Sequence, residues 1–472
     1  MSGTVYDLIV TNARIVYRDR ILHGGIAVRD GKIAKLLKQD EEAAANRTID
    51  VEERYVLPGL IDSHVHFRTP GYEHKENWHS ASKAAAAGGV TTVLDMPNTN
   101  PYTDTVDRLR QKAALVHGQS YVDYGFHIGV APGKAGALQA LSRGEAASIK
   151  LFLTGHHTAK HIIDDEVELD YIFRLAADKG ILLTLHAEDD FVLRLFRQTR
   201  YEPSGLTNYE AAYPRIGAIA AVARTLRLVR KHSTSVHVLH VSSAEEADLL
   251  DAAAAAGYPV TYETTAHQLW FDHASAEPLG TRAKLSPAIR EPRDRERLWQ
   301  SIAHGTLTSV GSDHAPHSIA EKSFAFHDAP PGLPGVQELL PALLTGLKRN
   351  LPALTREERL LTAARLLAAG PALRFGLDHQ KGSIEAGLDA DLLIVDDEKK
   401  WTVTTERVLS GSGWSAYEGL ELEGEALVTI VRGHVVYDRG QFGEEIGERI
   451  PLRRELPDAF GRTAGSPYRV LA

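Results

Sequence analysis

Eight apolar segments alternate with helix-type stretches through the middle of the chain, and this alternation limits the fold more than any other feature. The segments are "GLIDSHVH" (59–66), "VTTVLDMP" (90–97), "YVDYGFHIGV" (121–130), "SIKLFLT" (148–154), "ILLTLHAE" (181–188), "SVHVLHVS" (235–242), "VTYETTAH" (260–267) and "LTSVGSDH" (307–314). Short apolar runs bounded by turns read as strands buried on both faces, and strand-then-helix repetition reads as a parallel sheet. Two intervening helices carry their own end signals. Ser243 with Glu246 three residues on forms a capping box, and Gly257 stops that helix. "ENWHSASKAAAAGG" likewise stops at Gly88-Gly89. Eight such units across residues 58–377 predict a (β/α)8 TIM-like barrel.

The two ends of the chain read differently. "YDLIVTNARIVY" and "GGIAVRDGKIAKLL" are strands, with Asp30-Gly31 as a hairpin turn, and "GSIEAGLDADLLIVD" and "ALVTIVRGHVVYDRG" repeat the pattern near the C-terminus. Neither end alone has enough strands for a stable sheet. The expectation is one small β-sandwich assembled from residues 1–57 and 378–472.

In such a barrel, chemistry collects where the strands end. Here those ends carry His64 and His66, Lys150, His186, His240 and Asp313. A strand has a side-chain period of two, so His64 and His66 share a face. Each residue alone has a plain structural explanation: a hydrogen-bonded histidine, a snorkelling lysine, a helix-capping aspartate. Four histidines, a lysine and an aspartate at strand ends of one barrel are hard to explain as packing. With 22 histidines and no cysteine, a metal site in this chain takes nitrogen and oxygen ligands. A neutral lysine amine can add CO2 to become a carbamate, a carboxylate on a long arm able to bridge two ions such as Zn2+ held roughly 3.5–4 Å apart. Such a pair would activate a bridging water, and Asp313 would shuttle its proton.

The net charge of −9, with no long basic run, gives no reason to expect nucleic acid as a partner. "MSGTVYDLIV" lacks a signal-peptide layout, and no apolar run approaches the roughly 18 residues of a membrane span, so a cytoplasmic protein acting on a small molecule is expected.

"IDSHVHFR", "AGGVTTVLDMPNTNP", "IKLFL", "LHAED", "LHVSS" and "GSDHAPH" resemble the amidohydrolase superfamily and, within it, the dihydroorotases. The resemblance spans nearly the whole chain and implies the same barrel and split β domain. It implies that His64, His66 and Asp313 hold one zinc, that His186 and His240 hold a second, and that carboxylated Lys150 bridges them. It implies Arg68, Asn98 and His317 as binders of the substrate carboxylate, and Asp313 as the catalytic acid–base. The implied activity is interconversion of N-carbamoyl-L-aspartate and L-dihydroorotate in pyrimidine (UMP) biosynthesis. The expected assembly is a homo-oligomer, dimer or tetramer, with association with aspartate transcarbamoylase as a further expectation.

The match has departures. "KLSPAIR" places Ser286 where dihydroorotases usually carry a substrate-binding Asn, so Ser286 is taken as the substrate contact there, although Ser-Pro looks more like hydantoinases and dihydropyrimidinases. His156 and His157 in "TGHHT" and His314 beside Asp313 receive no role, and "PPGLPGVQ" (330–337) is expected to give backbone contacts to the ring. An allantoinase or a hydantoinase is the alternative; those enzymes generally lack the Arg68–Asn98 pair. A non-catalytic subunit beside aspartate transcarbamoylase is the reading from another class, and the presence of all six metal-site residues weighs against it.

Overall fold

The segment from Leu60 to Gly311 forms parallel strands almost wherever the apolar runs lie. The computed structural model describes residues 5–155, 157–199 and 203–453. Leu60–Val65, Val90–Asp95 and Asp123–Phe126 make a three-stranded parallel sheet. Ile128–Gly129, Ile149–Phe152, Leu183–His186, Val236–Val238, Val260–Thr265 and Ser309–Gly311 make a six-stranded parallel sheet in that order. Only His127 separates the last strand of the first sheet from the first of the second. At the other margin Val65 bridges His314 in parallel, and the His66 amide donates to the His314 carbonyl at 2.8 Å. Strand pairing therefore passes through all eight expected segments in sequence order.

All residues of these strands are buried, which is why they read as apolar runs without alternation. Leu60, Val93, Phe126, Ile149, Leu151, Leu183, Leu185, Val236 and Val310 join the helices in one core. The helix Ala244–Ala255 begins with the expected capping box of Ser243 and Glu246, and Trp78–Ala87 is capped by Asn77 and ends at Gly88. Between Ile128–Gly129 and Ile149–Phe152 the connection holds only a 3-10 helix, Ala135–Ala140.

Strands from both termini also come together, in one hydrogen-bonded sheet of nine strands. The short strand Tyr55–Pro58 explains this. It pairs in parallel with Val5–Tyr17 on one side and antiparallel with Leu392–Thr402 on the other, so it welds the two terminal halves edge to edge. Asp30 and Gly31, both at positive φ, form the two-residue turn expected between Arg20–Arg29 and Lys32–Lys38. Leu8, Val10, Ile15, Ile26, Val56, Ile394 and Ile430 give this sheet a core of its own. Buried Lys381 ties it to the parallel strands, reaching Asp123 at 2.8 Å and Asp391 at 2.6 Å. Among the described residues no helix is long and apolar enough to cross a membrane.

Candidate metal centre and active site

His64 lies within the strand Leu60–Val65, and His66 sits just past its end. Their rings are 5.4 Å apart, and both Nε2 atoms approach one oxygen of Asp313, at 3.3 Å and 3.1 Å. Candidate ligand atoms of His64, His66 and Asp313 all lie within 4.8 Å of one another. Asp313, two residues past Ser309–Gly311, has φ 43°, and His240, two residues past Val236–Val238, has φ 39°. A non-glycine residue in this left-handed region costs about 1–3 kcal/mol, a cost found where a side chain must be aimed.

The far side of each imidazole fixes what the near side presents. His64 Nδ1 lies 2.7 Å from the carboxylate of Glu263, and His66 Nδ1 lies 2.7 Å from the amide oxygen of Asn98. Both acceptors take a proton on Nδ1, which leaves both Nε2 atoms facing the Asp313 carboxylate. Burial holds the His66 imidazole neutral, its pKa pushed down to about 3. A neutral His66 imidazole that turns its lone pair toward the Asp313 carboxylate calls for a cation between them. The residues fit a divalent ion with nitrogen and oxygen ligands.

His186 ends the strand Leu183–His186, with Nε2 held at 2.9 Å by Glu188. Its ring is 4.6 Å from that of His240, and the His240 ring is 5.3 Å from that of His64. His240 Nδ1 and Lys150 Nζ are buried without a hydrogen-bond partner. Lys150, in Ile149–Phe152, lies over the Phe152 ring at 4.6 Å. Burial lowers its amine to about 7, against the opposing pull of Asp313 and Glu263. Near neutral pH much of it is the nucleophilic free base. The histidine pair is short of a third anionic ligand, and a carboxylated Lys150 would supply one.

These groups line a pocket enclosing about 400 Å3, whose wall is completed by Arg68, Asn98, Thr158, Ser286, Pro331 and Gly332 among others. Arg68, at φ 63° and 2% exposed, donates to the Pro316 carbonyl at 3.1 Å and to Thr158 Oγ1 at 3.5 Å, and its Nη2 lies 3.3 Å from His317 Nε2. Asn98 Nδ2 also donates to Thr158, at 3.2 Å. None of these partners of Arg68 is an anion. Burial lowers its guanidinium only to about 10, so it remains charged.

The remaining expected residues are placed as follows. His317 lies beside Arg68, with its Nε2 3.3 Å from Arg68 Nη2. Ser286 is in the wall, yet its hydroxyl donates to Glu188 at 3.0 Å, so it supports the carboxylate that holds His186. His314 accepts from the Gly335 amide at 3.1 Å and so helps shape the loop 330–337. In that loop Lys322 Nζ takes the carbonyls of Pro330 and Gly332, both at 2.9 Å. His157 is exposed, with its ring 6.2 Å from that of His317. His156 lies outside the described residues.

Three residues of the site were not singled out from the sequence. Glu263, in the middle of the buried strand Val260–Thr265, had a legible signal: a carboxylate there must find partners, and it finds His64, Ser63 at 3.3 Å and His237 at 3.5 Å. Glu188 is in the quoted "LHAED", two residues beyond a candidate ligand. Thr158 comes from a loop where no spacing rule marks it.

Comparison with known proteins places this constellation. Residues 55–436 match the amidohydrolase family. The chain belongs to that family. It is a hydrolase acting on cyclic amides, in a family that generally binds metals. It is 34% identical to a dihydroorotase of Methanothermobacter thermautotrophicus over 96% of this chain and 99% of that one. It is also 34% identical to an allantoinase of Streptomyces avermitilis, over 94% of this chain and 98% of the relative. Among solved structures, the L-hydantoinase (dihydropyrimidinase) from Arthrobacter aurescens superimposes with a TM-score of 0.88 at 29% identity, covering 94% of this chain and all of that one.

Replacing Glu263 with Gln removes the charge that sets the His64 tautomer but keeps its shape. Metal affinity should fall roughly tenfold to a hundredfold. Metal content after dialysis against graded chelator checks this, and unchanged retention would remove Glu263 from the site.

Proposed function

We propose that the chain is a dihydroorotase. The observation that carries this reading is Arg68: a buried, charged guanidinium on the pocket wall with no carboxylate among its partners. Burying an unpaired charge costs several kcal/mol, and a site retains one when its ligand brings the counter-charge. Dihydroorotate carries a carboxylate across the ring from its scissile amide; allantoin and hydantoin rings do not. An arginine fork takes a carboxylate through paired N–H groups, and Asn98 and Thr158 stand beside it as further polar groups.

In this reading His64, His66 and Asp313 would hold one zinc ion and His186 and His240 a second, with N6-carboxylated Lys150 as the anionic ligand serving the pair. When bound, the ions supply Lewis acidity toward the ring carbonyl and toward the attacking water. Arg68 and Asn98 fix the carboxylate end of the ring, which orients the scissile amide over the histidines. Asp313 accepts a proton from the attacking water. As the C–N bond breaks, it returns that proton to the departing ring nitrogen. In the reverse direction the ureido nitrogen of carbamoyl-aspartate attacks the side-chain carboxyl group, and water leaves. The parallel strands are read as a closed (β/α)8 barrel over 58–377, with residues 1–57 and 378–472 as the composite β domain.

A second reading is a hydantoinase or allantoinase. Ser286, and an allantoinase relative as similar as the dihydroorotase, favour it. Arg68 separates the two. Arg68→Ala should raise the KM for dihydroorotate roughly tenfold to a hundredfold, the worth of hydrogen bonds to a charged group, with metal content unchanged. An unaltered KM rules out the carboxylate role.

Carboxylation of Lys150 has its own check. CO2 adds to the free amine, and this amine loses its proton near pH 7, whereas an ordinary lysine does so near 10.5. At fixed dissolved 13CO2, labelling of Lys150 in metal-loaded protein should rise from pH 6 to pH 8. A bare lysine mass across that range sinks the bridge.

A further inference from the structure

Arg68 is backed by a second cation that the function described above does not use. Lys75 lies between the strand Leu60–Val65 and the helix Trp78–Ala87, and is 4% exposed. Two successive turns tie it to the clamp: the Tyr72 amide donates to the Arg68 carbonyl at 3.1 Å, and the Lys75 amide to the Tyr72 carbonyl at 2.9 Å. Its ammonium meets two groups, the Glu321 carboxylate and His317 Nδ1, the latter at 3.0 Å.

An ammonium has three donors and no acceptor. The imidazole nitrogen that faces it must accept, which puts the ring proton of His317 on Nε2. That nitrogen is the one 3.3 Å from Arg68 Nη2. A guanidinium is also donor-only. Two N–H groups therefore face one another with no acceptor between them. Glu321 does not relieve this, because it sits on the other edge of the ring, with Lys75 and 3.6 Å from Nδ1. An anionic oxygen arriving at the Arg68 end of the pocket would relieve it.

We propose that Lys75 is a positioning residue of the carboxylate clamp: by holding His317 as the Nε2–H tautomer, it makes Arg68 and His317 a donor pair that an incoming carboxylate oxygen completes. Lys75 thereby favours ring substrates that carry a carboxylate over uncharged rings. The identity of the carboxylate rests on the dihydroorotate reading; the tautomer does not.

The test uses 15N-histidine-labelled, zinc-loaded full-length protein, with the His317 signals assigned by their loss in His317→Gln. The wild-type ring should show the Nε2–H pattern, and Lys75→Met should move it toward Nδ1–H, which then donates to Glu321. In parallel, Lys75→Met should raise the KM for dihydroorotate about tenfold with a much smaller change in kcat, and Lys75→Arg, which keeps a donor, should recover most of it. A wild-type Nδ1–H ring overturns the proposal, as does a Lys75→Met protein that loses only thermal stability while tautomer and KM stay put. If Lys75→Met fails to fold, the wild-type spectrum and Lys75→Arg decide. If dihydroorotate is not turned over at all, the substrate reading fails, and the spectrum still decides the role of Lys75.

Discussion

Two imidazole Nε2 atoms and a carboxylate oxygen converge on one spot, and the rest of the site depends on that arrangement. Acceptors facing acceptors repel unless a cation sits among them. Glu263 and the Asn98 amide oxygen create this condition by claiming the Nδ1 protons of His64 and His66. The left-handed backbone at Asp313 turns its carboxylate into the same spot. The bridge from Val65 to His314 brings the first and last parallel strands together, so residues some 250 positions apart in sequence meet at distances near 3 Å.

Charge is distributed with the same logic across the pocket. The metal end is rich in acceptors and wants cations. The opposite wall holds Arg68, backed by Lys75 and His317, and wants an anion. A cyclic amide with a carboxylate across the ring from its scissile bond answers both ends, with its carbonyl toward the histidines and its charge toward the arginine. An uncharged ring answers only one. This polarity favours the dihydroorotase reading where the relatives, at equal identity, do not choose between substrates.

His64, His66, His186, His240 and Asp313 were legible as candidates because each sits at or near the end of an apolar run; Lys150 lies inside its strand, where a lone buried amine drew notice instead. Glu263 was legible in principle, as a charge in a run that must be buried. Thr158 and Lys75 were not, since both come from irregular loops whose approach to Arg68 is set only by tertiary packing. The terminal strands were legible as strands, but their pairing was not. The four-residue strand Tyr55–Pro58 decides it, joining the two ends of the chain into one hydrogen-bonded sheet.

The most direct measurement is hydrolysis of L-dihydroorotate, allantoin and dihydrouracil by the same zinc-loaded protein, compared as kcat/KM. The account expects dihydroorotate to be preferred strongly, roughly a hundredfold or more, because only it brings an anion to Arg68. Preference for either uncharged ring would contradict it, and would make Ser286 a better guide to the substrate than the buried guanidinium.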